Sequence, residues 1–497
     1  MATQRHRQAG VGDPCTVVAL PYHADPAHYF RHVCGEPGAV LLDSGRPTAA
    51  RGRYDIVSAW PVETLEPAAG ESGASFLGRL RRSVQALGPA RLEGQHDLPF
   101  VGGLIGYLAY DFGRRLEDRL SASPPSGDAT GTADARFGVY DWALISDHTL
   151  HTTLVLFHPR CPESKRRRIV ATLNRATPPS VGHPSPVGHL PPVRHLPPVE
   201  HPQPVGHIEP SAPERTARHF QLTSPFAPDM PRAAYRQAIA RVHQYIQAGD
   251  CYQVNFAQRF QAGYRGDPWA AYVALRAACP TPFAGYVSLG GDDAILSLSP
   301  ERFLRLNDRQ IEARPIKGTR PRGATLQADE REARTLQEST KDRAENLMIV
   351  DLLRNDIGRV ARIGTVRVPE LFSLESYPNV HHLVSSVTAE LAQGLDAFDL
   401  LAASFPGGSI TGAPKLRAMQ IIDELEHHAR SVYCGSLLYI DVRGQMDSSI
   451  MIRSLLARDG RIHCWGGGGI VMDSHWESEY QESLDKVKVL MRTLEVL

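Results

Sequence analysis

Between Val181 and His207 the chain repeats a six-residue unit, VGHPSP, VGHLPP, VRHLPP, VEHPQP, VGH, which sets His183, His189, His195, His201 and His207 at a strict period of six. So much proline removes backbone donors and fixes φ, which excludes a helix or a central strand and favours extended polyproline II. Whatever folds must therefore fold on either side. Two regions follow, a β-rich one over 15–165 and a mixed one over 220–493, with 166–219 as a Pro/His-rich linker. Imidazole is a common metal ligand, but these rings are not at i,i+4 on a helix and nothing in the sequence fixes them in space; a plain linker is the simpler reading.

Before the linker, short runs such as CTVVALPY, GAVLLDSG, YDIVSAWP, GGLIGYLAYDF and TLHTTLVLFHP are punctuated by Gly and Pro and read as strands, with one helical patch, SFLGRLRRSVQAL. After it, Tyr235, Ile239, Val242 and Ile246 fall at helical spacing up to Gly249-Asp250, and CYQVNFAQRF alternates as a half-buried strand. Long helices are predicted in REARTLQESTKDRAENLMIVDLLRNDI and ESEYQESLDKVKVLMRTLEVL. Gaps between neighbouring strands are too short for helical crossovers, so the expected class is α+β: antiparallel sheets packed as a sandwich with helices outside.

Lys plus Arg and Asp plus Glu both total 54, which leaves no global field for nucleic acid or an acidic membrane. Seven scattered cysteines without a CxxC pair fit a reducing compartment, and no signal peptide or run of eighteen apolar residues is seen, so a cytoplasmic location is expected.

Candidate chemistry lies in the second region. A hairpin centred on Asn307-Asp308 would bring Glu301 of LSPERF within one or two residues of Lys317 of RPIKGTRPRG, an acid beside an amine; a surface cross-strand pair is the bland alternative. Glu345, Glu479 and Glu482 lie on helices, and such carboxylates suit Mg²⁺, although Glu482 is equally well spaced for a helix salt bridge with Lys486. Gly466 to Gly469, placed after a strand, can form an anion-binding nest or only a tight turn. PGGSITGAPK leads a glycine loop into a helix, and Arg453 and Tyr433 are candidate partners for a carboxylate.

CYQVNFAQRF, LSPERF, RPIKGTRPRG, ENLMIVDLLRND, HHLVSSV, PGGSITGAPK and GGGGIVMDSHWESEYQES, in that order, resemble the chorismate-utilising enzymes over about residues 220 to 493, with a weaker likeness in LLDSGRP and GGLIGYLAYD. The resemblance implies an anthranilate synthase component I-like fold. Isochorismate and salicylate synthases carry a water-activating lysine where this chain has Gln253, and anthranilate synthases typically read PIAGT where it has Lys317. The branch implied is therefore the one that aminates chorismate at C4, with anthranilate synthase as the alternative and a non-catalytic scaffold as the reading from another class.

On that resemblance Lys317 is the nucleophile, Glu301 the general acid/base and His382 a histidine near the ring, with register against His381 open. Glu345, Glu479 and Glu482 would hold Mg²⁺. Gln253, Thr411, Tyr433, Arg453, Gly466, Gly467, Gly468 and Lys486 would hold chorismate. Ammonia would come from a separate glutamine amidotransferase subunit, since no glutaminase segment is visible. Ser44, Pro282 and Phe283 match a tryptophan site of some relatives, although Asp43 and Gly45 depart from its usual LLES.

Overall fold

The computed structural model describes residues 12–49, 52–93, 97–120, 130–175, 219–376 and 380–497. The histidine repeat lies outside them.

Among the described residues two large sheets dominate, of thirteen and ten strands, and every pairing within them is antiparallel. Each sheet takes strands from both sides of the linker. In the larger, Phe283–Gly290 pairs with Val40–Asp43, Ala284 opposite Asp43. In the smaller, Ser436–Asp441 pairs with Gly103–Leu108, Ser436 opposite Leu108. The boundary between 15–165 and 220–493 is thus one of sequence and not of sheet. Its first nine residues also fold: 166–174 belong to the helix Glu163–Asn174, whose Ile169 and Leu173 are buried.

The sheets face each other across one core, to which Ile56, Ile145 and Ile295 contribute from the larger and Leu104, Leu306 and Ile440 from the smaller. The other face of the larger sheet is covered by helices, with Leu41, Leu144 and Val155 meeting Tyr272, Leu275, Val487 and Leu490. The α+β sandwich with helices outside is therefore the observed architecture. Among the described residues no helix is long and apolar enough to cross a membrane, and all seven cysteines are free.

Several local expectations change in detail. The hairpin turns one residue later, at Asp308-Arg309, both with positive φ (46° and 66°), between Asn307 and its partner Gln310; two such residues match the right-handed twist of the flanking strands. The long helix after Gly323 is two helices, Leu326–Glu338 and Thr340–Gly358, because Ser339 leaves helical geometry and caps the second with its hydroxyl. The strand Gln253–Arg265 is buried on both faces over its first eight residues rather than half-buried.

The glycine run is corrected more fully. Gly466 to Gly469 do not follow a strand but lie inside Arg461–Ile470, paired with Gln258 to Asn255, and none has positive φ. A nest needs left-handed residues and so does not form here. Glycine is required by close approach: a Cβ on Gly466 would lie 2.1 Å from the Ser483 carbonyl of the last helix, and one on Gly467 2.3 Å from that of Phe256.

Candidate active site

Glu301 follows the Asp293–Ser299 strand and begins the hairpin, and its buried carboxylate accepts from the Ile316 backbone N–H and from the Ser409 hydroxyl (3.3 Å). Lys317 leaves the returning strand Ile316–Pro321, and its Nζ donates to the Ser409 carbonyl at 3.1 Å. The expected juxtaposition is present. It is also organised by a residue the sequence did not single out, since Ser409 touches both side chains.

The aim of Lys317 depends on a bulge. Lys317 pairs with Leu383 and Thr319 with His382, leaving Gly318 (φ 78°) as the extra residue. A Cβ there would stand 2.8 Å from Leu336 Cδ1 and 3.0 Å from Asp342 Cβ. Gly318→Ala is therefore expected to cost about 1–2 kcal/mol from the left-handed backbone alone, lowering the melting temperature by a few degrees and the turnover number far more, because Lys317 is re-aimed. Unchanged turnover would contradict this.

Electrostatics separates the two groups. Burial pushes the Glu301 carboxyl up to about 7 against the opposing pull of Lys317 and its hydrogen bonds, which makes it a proton donor near neutrality. Burial lowers the Lys317 amine, while Glu301 and then Glu345 push it back up. His382 is brought down to about 4, first by burial and then by the Arg453 guanidinium, so its ring is neutral. His382 meets Thr319 Oγ1 at 2.9 Å, whereas His381 is engaged by Asp329 (3.0 Å) and Ser376 (2.8 Å) on the Leu326–Glu338 side.

The acidic residues converge above Gly468. A Cβ there would lie 3.2 Å from Glu479 Oε2, 3.3 Å from Glu482 Oε1 and 3.6 Å from Lys486 Nζ, so only glycine leaves this space open. Glu479 is buried and raised by that burial, its Oε1 accepting from Ser474 (2.7 Å). Burial also raises Glu345. Glu482 is lowered: burial opposes, but Lys486, 2.7 Å away, and the further lysines outweigh it. Lys486 also donates to the Gly467 carbonyl at 2.7 Å.

As hard oxygen donors, Glu345, Glu479 and Glu482 suit a Mg²⁺ in chemistry, and Glu479 and Glu482 face the open space over Gly468. Among the described residues, however, no three His, Cys, Asp or Glu stand close enough to hold an ion, and the Glu482–Lys486 pair expected as the alternative is formed.

The remaining candidates fall into two groups. Arg453 makes no ion pair and no side-chain hydrogen bond among the described residues, and both amide atoms of fully buried Gln253 lack a partner, so these polar groups are uncommitted. Thr411 spends its hydroxyl on the Gly407 carbonyl (3.0 Å), and Tyr433 is buried parallel to Trp465 with ring centroids 6.0 Å apart.

Ser44, Pro282 and Phe283 are gathered elsewhere, in a cavity of ≈ 540 Å³ that Pro300, Arg302 and Ile316 also line but Glu301 and Lys317 do not. Asp43 beside it is consumed by an ion pair with Arg276 at 2.7 Å and by the Tyr272 hydroxyl at 2.8 Å.

With this geometry in view, the family model for chorismate binding enzymes matches residues 38–492. The chain is 44% identical over 493 residues to aminodeoxychorismate synthase component 1 of Salmonella typhimurium, covering 97% of this chain and 98% of that one. It is 33% identical to anthranilate synthase component 1 of Streptomyces coelicolor, covering 99% and 92%. Among solved structures, anthranilate synthase component I of Streptococcus pneumoniae superposes with a TM-score of 0.72 at 28% identity, covering 89% of this chain and 93% of that one.

Proposed function

The chain belongs to the family of chorismate-binding enzymes, and from that premise we propose that it aminates chorismate at C4 with ammonia, giving 4-amino-4-deoxychorismate on the way to 4-aminobenzoate and folate. The observation that carries the reading is the Lys317 amine and the Glu301 carboxyl resting on one residue, Ser409, at a position where anthranilate synthases typically have alanine.

In this mechanism neutral Lys317 attacks C2 of chorismate, both ring double bonds shift around the diene, and the C4 hydroxyl leaves as water with the proton of Glu301. Ammonia then bonds to C4, the two double bonds shift back and the lysine is expelled, Glu301 taking up the proton that ammonia loses. One hard substitution becomes two easier allylic ones. His382, held neutral, lies beside the ring. Arg453 takes one substrate carboxylate; Tyr433, Lys486 and the backbone of Gly466, Gly467 and Gly468 take the rest, while the Thr411 hydroxyl, spent on the Gly407 carbonyl, shapes the turn beside them. Gln253 is no base, which disfavours addition of water.

Glu345, Glu479 and Glu482 would hold Mg²⁺, whose charge would keep a substrate carboxylate in place. Treatment with a chelator is expected to reduce amination by at least about 100-fold, with Mg²⁺ restoring it, and Mg²⁺ should raise the melting temperature of the wild type but not of Glu479→Ala. Full activity after chelation would remove the metal from the scheme. Ammonia is supplied by a glutamine amidotransferase subunit, in keeping with the designation of the relatives as component 1, and free ammonium replaces it in vitro.

Incubation with chorismate, Mg²⁺ and ammonium tests the reading: a non-fluorescent product that a lyase converts to 4-aminobenzoate supports it, and fluorescent anthranilate overturns it. The Ser44, Pro282 and Phe283 cavity would hold tryptophan. Calorimetry should then show saturable heat that Ser44→Phe removes, and no heat with the wild type would end that assignment.

A further inference from the structure

We infer that the buried Glu426–Arg430 pair is a positioning device for the reaction, holding the turn whose Ser409 touches both Lys317 and Glu301. This rests on the roles proposed above for those two residues.

The pair is bidentate, Arg430 Nε to Glu426 Oε2 at 2.8 Å and Nη2 to Oε1 at 2.6 Å, and both side chains are almost wholly buried (1% and 6% exposed). Arg430 Nη1 donates to the Ile410 carbonyl at 2.8 Å and Nη2 to that of Asn255, while Glu426 Oε1 accepts the Ala257 N–H at 2.8 Å. Asn255 Nδ2 reaches the same Ile410 carbonyl at 3.0 Å, and the Asn255 N–H reaches the Thr411 carbonyl at 2.8 Å. The guanidinium lies over Tyr110, 4.6 Å from its centroid. The pair therefore fastens the Gln253–Arg265 strand to the turn Gly408–Ile410, one residue beyond the Ser409 carbonyl and hydroxyl on which the amine and the acid rest.

A buried ion pair is a poor way to gain stability, since uncharged residues of similar volume commonly do as well. What it provides is direction: a fixed fork whose donors are committed to backbone carbonyls, with no role in gripping substrate. A shift of about 1 Å in the turn would move Lys317 and Glu301 together, which is the scale at which misplacement costs about 100-fold in rate.

The test is the double variant Glu426→Gln with Arg430→Met, which removes both charges and leaves none unpaired, measured beside Ser409→Ala and Ser409→Thr. Each is expected to fold, by circular dichroism. Turnover should fall at least about 30-fold in the double variant and in Ser409→Ala, with KM for chorismate within about threefold, because substrate contacts survive. Ser409→Thr, which keeps the hydroxyl, should recover most of the turnover. Should the double variant unfold, the contrast between Ser409→Ala and Ser409→Thr decides. A folded double variant with turnover within twofold of wild type, or equal turnover in Ser409→Ala and wild type, overturns the inference. A wild type that makes only anthranilate overturns the parent reading instead, and the variants' effect on that turnover still tests the pair.

Discussion

Lys317→Ala is expected to lower kcat/KM for amination by at least about 10⁴-fold while leaving the fold and chorismate binding in place, because the nucleophile is removed and nothing nearby replaces it. Of the other primary amines nearby, Lys486 is held by Glu482 and the Gly467 carbonyl, and Lys341 lies against Glu345 (3.9 Å). Gln253 has no basic nitrogen. The anchoring proposed for Arg453, Tyr433 and the glycine strand does not involve Lys317, so the change should appear in kcat and not as a large rise in KM. Steady-state kinetics with ammonium, alongside binding of chorismate by calorimetry, measures both. Amination by the variant at the wild-type rate would remove covalent catalysis from the account.

Glu301→Gln is expected to lower kcat by about 10² to 10⁴, the usual contribution of a positioned acid, and to change the pH profile in a definite way. With its carboxyl pushed up to about 7, Glu301 is protonated and able to donate below that pH and ionised above it, so the wild-type rate should fall on the alkaline side from about 7. Lys317 must lose a proton to attack, which makes the rate fall on the acid side. The profile is a bell whose two limbs belong to the pair. Glutamine cannot ionise, so the alkaline limb assigned to Glu301 should disappear. Removing the carboxylate that most strongly raises the Lys317 amine should also move the acid limb to lower pH. An alkaline limb that persists near 7 would assign it to another group.

What the sequence made legible was local. A turn at Asn307-Asp308, one residue short of the one observed, and the alternation on either side of it were enough to bring Glu301 to Lys317, because hairpin register follows from the turn. The helix phase put Glu479 and Glu482 on one face. The interlocking of the halves was not legible, since the pairing of Phe283–Gly290 with Val40–Asp43 joins strands more than two hundred residues apart with no local signal. The glycine run was misplaced for a related reason: four glycines read as a turn until the Ser483 carbonyl and the acidic side chains are seen pressed against them. Ser409 was passed over because it acts partly through its main chain. Its only trace was its place in PGGSITGAPK, between the glycines and the threonine that fold it.

The most direct test is peptide mapping by mass spectrometry of protein incubated with chorismate and Mg²⁺ without any ammonia source, then quenched. A chorismate-derived adduct confined to the peptide containing Lys317, discharged as aminodeoxychorismate when ammonium is added, is the predicted result. Unmodified Lys317 in a preparation that still aminates chorismate on adding ammonium would contradict it.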